Sequence, residues 1–353
     1  RQVYANEPDS AGILAKQGEI YAGILPAKIN VSNTALHWSG RNWAMIMLPL
    51  PVSKADRVDL MTHELFHNAQ ASLQFTPADP LNNHLNKKDG RIYLRLELAA
   101  LQQALHASST ASRQHYLTAA ITFRQYRYLL FPGADTTENL LELNEGLAQY
   151  TGLMMSGRNK AQVLQLFDSS FTGILQNPSF VRSFAYHTTL KYGYLLSQTN
   201  PRWTRQIRNN TSLTQYFIQA FRLQIPADIK DAVTRYAPEF GGDEIIAAET
   251  ARDIKLQQQM AAYIEKFVTR PHTELRFEKM NIVFDPRSMI PVDGHGTVYP
   301  TIRVTDKWGI LTVSEGALMS DNWDKITVGL PQNTDDKKVS GTGWELQLNE
   351  GYQ

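Results

Sequence analysis

The sequence predicts an α+β fold: a mainly α-helical region with a small N-terminal β-sheet, followed by a C-terminal all-β module. Three observations carry the prediction. Residues 19–50 contain the runs "EIYAGILPAKINV" and "TALHWSGRNWAMIMLP", whose alternating apolar, β-branched and aromatic content is the pattern of short strands. From about 53 to 270 the apolar residues recur at helical spacing. After "TRPHTE" the pattern changes again. Short β-type runs ("ELRFEKMNIVF", "TVYPTIRVTD", "GILTVSE", "KITVGLP", "GWELQLN") are then separated by Gly, Asp, Asn and Pro, which mark turns. The expected division is therefore 1–52 for the sheet, 53–271 for the helical region that it belongs with, and 272–353 for the β module.

A chain of 353 residues, 42% hydrophobic and 20% charged, is long enough for two or three domains with a sizeable core. A formal net charge of +1 gives no electrostatic reason to expect a nucleic acid or an anionic membrane as partner. The longest apolar stretch, "WAMIMLPLPV", is too short to span a bilayer and is broken by prolines, so no transmembrane segment is expected. The absence of cysteine excludes disulfides, thiolate metal ligands and a cysteine nucleophile. A start at Arg1 rather than Met leads us to expect a processed or trimmed form.

Taken in order, the helices are expected at 54–74, 91–108, 111–131, 138–155, 160–167, 180–197, 211–222, 227–236 and 243–269. The first begins well: Ser53 stands as N-cap with Asp56 three residues on, and Val58, Leu60, Met61, Leu65, Phe66, Ala69 and Leu73 continue the spacing. The fourth starts with Asp135 and Glu138 placed as a capping pair, and Gly157 lies just past its end.

Within the first helix stands "HELFH". His63 and His67, at i and i+4, project from one face one turn apart, which suits a single ion such as zinc that takes imidazole nitrogens at about 2.0 to 2.1 Å. Glu64 stands beside them, where it can take a proton from water as general base. A buried turn of these residues without a metal would leave polar groups unpaired at about 1 to 3 kcal/mol each. The third protein ligand is sought in "TTENLLELNEGLAQYTG", where Glu138, Glu142, Glu145 and Gln149 fall on one helical stripe. Glu138 and Glu142 read as a solvated acidic face. Glu145 is flanked by the small residues Gly146 and Ala148, which allow close approach of a neighbouring helix, and it is the expected third ligand. Glu97, in "RLELAAL", is the fallback.

"HELFH" followed by "NEGLAQY" resembles the gluzincin zinc peptidases, over roughly residues 20–200. The resemblance implies a secreted or periplasmic bacterial enzyme that hydrolyses peptide or protein substrates with a zinc-activated water, with endopeptidase action slightly favoured. It implies His63, His67 and Glu145 as ligands and Glu64 as base. The strand before the helix, here Asn42 to Pro49, would bind an extended substrate by its edge. Relatives of the thermolysin type carry an aspartate four residues after the glutamate ligand, to support a ligand histidine. Gln149 stands there instead, so that carboxylate has to come from elsewhere, with Glu97 as candidate. An oxyanion-stabilising tyrosine is expected in "SFAYHTTLKYGYLLS", first Tyr186, then Tyr192. Two other readings remain open at this point: a gluzincin-like binding or scaffold protein without activity, and a zinc hydrolase of a non-peptide amide. Intact Glu64 argues against the first.

Overall fold

A computed structural model describes residues 1–26, 29, 31–284, 288–292, 294–335 and 337–352. The fold is α+β, and the chain divides into two compact units, Arg1–Glu249 and Thr250–Gln353. Ala27, Lys28 and Asn30, within the first β-type run, lie outside the described residues.

The first unit opens with two small antiparallel sheets. Strands β1 (Gln2–Ala5), β2 (Ala15–Gln17) and β3 (Ile20–Ile24) form one, in the order β1-β3-β2, and the hairpin β4 (Thr34–Trp38) and β5 (Arg41–Met45) forms the other. In the hairpin Leu36 pairs with Trp43 and Trp38 with Arg41. Because side chains alternate across a strand, Leu36, Trp38, Trp43 and Met45 share one face, while Asn42 and Ala44 are on the other.

Helix α1 (Lys54–Ala69) follows, and the Ser53 side chain accepts a hydrogen bond from the Asp56 backbone N–H, the cap that the sequence predicts. It ends at Ala69 rather than 74. Next come α2 (Lys88–His106) and α3 (Thr110–Leu130), then α4 (Ala134–Leu141), a π-helical turn at Glu142–Gly146 and α5 (Leu147–Met155). Helices α6 (Lys160–Leu175), α7 (Ala185–Ser197), α8 (Leu213–Phe221), α9 (Ile229–Tyr236) and α10 (Gly242–Ile264) complete the helical set. The core runs between them through Leu96, Phe123, Leu147, Phe167, Tyr192 and Trp203, all buried. The capping pair expected at Asp135 and Glu138 is absent: α4 starts from Gly133 in the left-handed region, with φ of 87° and no side-chain cap.

The composition change near residue 272 does mark the start of the strands, but the compact unit begins earlier, inside α10. The reason is packing: Tyr263, Ile264, Phe267 and Val268 at the end of the helix join Val292, Val298 and Leu318 in one apolar cluster. Beyond them an antiparallel sheet runs in the order Pro331–Thr334, Lys338–Gly341, Trp344–Leu348, Gly309–Val313, Ile302–Asp306, Asn281–Phe284. A second runs His272–Arg276, Lys325–Gly329, Ala317–Met319, Gly296–Tyr299, Ile290–Val292. Val304, Leu311 and Leu346 of the first sheet and Met319, Ile326 and Val328 of the second share one buried core, as in two sheets packed through alternating inward residues.

Candidate metal centre and cleft

Three elements bring the candidate residues together. α1 presents His63 and His67, the π turn presents Glu145, and α7 presents Tyr186. Close helix contacts make this possible. α5 lies against α1 at Gly152, where an added Cβ would stand 2.6 Å from the Asp59 carbonyl oxygen. The π turn lies against α7 at Gly146, where a Cβ would stand 2.6 Å from the Thr189 Cβ. Gly146, beside Glu145, thus serves an approach to α7, and the approach to the histidine helix is made further on, at Gly152.

His63 Nε2 and His67 Nε2 are 3.1 Å apart. Glu145 Oε2 lies 3.5 Å from the first and 3.3 Å from the second. A tetrahedral ion with bonds near 2.05 Å sets neighbouring donor atoms about 3.3 Å apart, so this triangle has the size of one face of such a site. Among the described residues these three are the group suited to a metal ion. Tautomer logic points the same way. Gln70 Nε2 donates to Asn144 Oδ1 at 2.9 Å, so its Oε1 faces His67 Nδ1 at 3.0 Å and that nitrogen carries the proton. The Nε2 lone pair of His67 is then aimed at a carboxylate, an arrangement that calls for a cation or an added proton between them. His63 Nδ1 is buried without a hydrogen-bond partner among the described residues.

Glu64 is buried beside the histidines, and burial pushes its carboxyl up against the pull of His63 and His67. Burial also opposes ionisation of Glu145, yet the histidines, where they carry a proton on Nε2, and the Tyr186 hydroxyl hold its carboxyl well below the usual range. Tyr186 donates its hydroxyl to Glu145 Oε2 at 2.6 Å, and its ring stacks on His63 at 5.8 Å with 9° between planes. Arg182 is 3.5 Å from Glu145 Oε1 and pairs with Asp79.

These groups line a cleft of about 510 Å³. Its other wall is Asn33 and the β4 residues Thr34 to His37, with Asn42 and Trp43 of β5. Both strands of the hairpin thus line the cleft, β4 with more residues than the expected 42–49 segment, of which Asn42 to Met45 is strand. β4 pairs with β5 alone among the described residues.

Several expectations are corrected. Glu138 and Glu142 are not a solvated face: both are fully buried. Glu142 receives Arg124 through Nη2 at 2.8 Å and Thr188 Oγ1 at 2.5 Å; Glu138 receives Arg127 at 2.6 Å and His84 at 2.7 Å. Arg124 and Arg127 of α3 account for their burial, and the π turn separates them from Glu145. An inserted residue rotates a helix face by about 100°, so the stripe is broken and Glu145 points to α1 while Glu138 and Glu142 point to α3. Glu97 is neither ligand nor histidine support, because it is buried against Arg124 and Arg127, at 2.7 and 2.9 Å. Tyr192 is also fully buried, its hydroxyl given to Glu97 at 3.1 Å and its ring stacked on Phe217; it does not line the cleft. Gln149 donates to Asp59 Oδ1 at 3.3 Å, one turn before His63. The sequence reading missed Gln70 and Asn144. Their positions were the available signal: Gln70 follows His67 by three residues on the same face, and Asn144 precedes Glu145.

No protein-family model, curated protein or solved structure matches the chain.

Proposed function

We propose that this protein is a zinc-dependent peptidase of gluzincin type. One observation carries the reading: two imidazole nitrogens and a carboxylate oxygen converge within 3.1 to 3.5 Å beside a buried glutamate, in a cleft walled by a strand edge. His63, His67 and Glu145 would hold the ion. When bound, zinc supplies Lewis acidity toward water and toward a scissile carbonyl. Glu64 takes the proton of the attacking water, aided by burial that raises its proton affinity, and returns it to the leaving amine. The β4 edge offers backbone N–H and C=O groups to an extended peptide. Tyr186 stands next to the ligands and donates its hydroxyl to the oxyanion once Glu145 is engaged elsewhere.

The test is metal analysis of the purified chain together with digestion of a mixed peptide library. About one zinc per chain and measurable turnover are expected, with His63→Ala losing most of the metal. Glu64→Gln should keep the zinc and reduce turnover by about 10² to 10⁴. Zinc bound without any cleavage would favour the binding-protein reading; cleavage of amides other than peptides would favour the third.

A further inference from the structure

The catalytic cleft is mostly polar along its floor, but it is not the only cavity at the hairpin. A second, of about 490 Å³, lies between the β1–β3 sheet and the hairpin face that carries Trp38 and Met45. Val3, Leu14, Leu25 and Val31 are among the residues that close it. The two cavities share Leu36 and Trp43 as walls. The Trp43 ring is fixed there by its indole N–H, which donates to the Trp38 carbonyl at 2.9 Å.

The second cavity is lined mostly by apolar side chains, with Arg1 and Gln2 among its walls. Among the described residues of the first 53, only Leu14, Ala22 and Leu25 are buried apolar residues, so the described part of these two sheets carries little core of its own. Around the cavity Tyr4, Val31, Met47 and Leu48 are exposed, Leu48 at 64%. Apolar surface left in water at about 25 cal/mol per Å² gains by being covered, and a ligand group fitting this space would be held by that gain.

We infer that this cavity is a specificity subsite for a large apolar side chain of the peptide that is cut, so that the substrates are apolar rather than charged peptides at one fixed position. The inference rests on the peptidase reading above. It follows from strand geometry. A peptide that adds to the free edge of β4 continues the pleat of the hairpin, so its alternate residues project to the same side as Leu36 and Trp38. On that side stand Leu36 and Trp38, the two β4 residues that line the apolar cavity, and Leu36 is shared with the cleft. The intervening residues project to the side of Ala35, His37 and Asn42, toward polar cleft and solvent. One position of the first set therefore meets the cavity and prefers an apolar side chain, while the residues on either side of it are indifferent or polar.

The experiment uses full-length Glu64→Gln, which should bind substrates without cutting them, loaded with zinc, and dye-labelled extended peptides that carry Leu, Phe, Ser or Asp at each successive position. Fluorescence anisotropy should show at least tenfold tighter binding of Leu and Phe over Ser and Asp at one position, a discrimination typical of an apolar pocket. Val31→Asp in the same background, at a half-exposed position remote from the metal donors in sequence, should abolish the preference while keeping zinc content. Met45→Ser, at a residue that lines the second cavity and not the cleft, is a second variant with the same expectation. If wild type cuts peptides and no position favours apolar residues, the subsite is overturned and the peptidase reading stands. A preference that survives both variants also overturns it, since the selecting surface then lies elsewhere. If no peptide is bound or cut by zinc-loaded protein, both readings fall.

Discussion

His67 owes its tautomer to two amides. Gln70 accepts from its Nδ1 and in turn donates to Asn144, whose neighbour Glu145 closes the donor triangle, so one short chain of hydrogen bonds ties the helix of the histidines to the turn of the glutamate. Both amides are buried, which removes water as a competing partner. In metal sites such outer partners set the orientation and basicity of the histidine, with effects of about 10- to 100-fold on affinity. Gln70→Ala should therefore weaken zinc binding by a factor in that range, read by competition with a chromophoric chelator, with circular dichroism unchanged. Gln149→Ala, which touches Asp59 and not His67, should have the smaller effect. Equal affinity of Gln70→Ala and wild type would remove the amide from the site.

At the scale of elements, the π turn decides which carboxylate meets the metal and which meet arginines. Glu138 and Glu142 hang from α4 and its π turn into a buried cluster with Arg124 and Arg127 of α3, and this anchors the turn that carries Glu145. Burial works against the charge on Glu138, but Arg127 and the hydrogen bond from His84 hold its pKa down at about 2, against an ordinary 4.5. A folded-state pKa below the unfolded one means that the stabilisation is fully present above about pH 4.5 and is lost as pH falls toward 2. Denaturant titrations from pH 7 to 2.5 should show this loss, and Glu138→Gln should flatten it. The same variant should be destabilised at pH 7 by on the order of 3 to 5 kcal/mol, as for a buried ion pair deprived of one partner. Parallel pH profiles for variant and wild type would rule Glu138 out as the source.

For the whole molecule, the division at Glu249 predicts where the chemistry resides. His63, Glu64, His67, Glu145 and both walls of the cleft belong to the first unit. Glu249 itself ties the start of α10 to α2, accepting from Arg91 at 2.6 Å and Arg95 at 2.7 Å. A fragment of residues 1–249 should therefore bind about one zinc per chain with the affinity of the full chain, measured by the same chelator competition. A fragment ending one residue earlier loses both ion pairs and should be the less stable of the two. A metal-free 1–249 fragment beside a zinc-loaded full chain would show that the second unit is needed for the site.

What the sequence determined alone is local: two imidazoles one turn apart, the Ser53 cap, the succession of helices and the return to strands. These follow from backbone geometry, in which 3.6-residue and two-residue periods place side chains whatever surrounds them. The tertiary structure decided what spacing cannot reach. Glu142 and Glu145 are both helical, acidic and buried, and a single inserted residue sends one to Arg124 and the other to the histidines. Tyr186 and Tyr192 share a helix, yet one faces the donors and the other Glu97. Glu97, Glu138 and Glu142 read as exposed or available because charge is ordinarily solvated; their burial depends on Arg124 and Arg127, which stand on another helix and are matched to them only when the chain is packed.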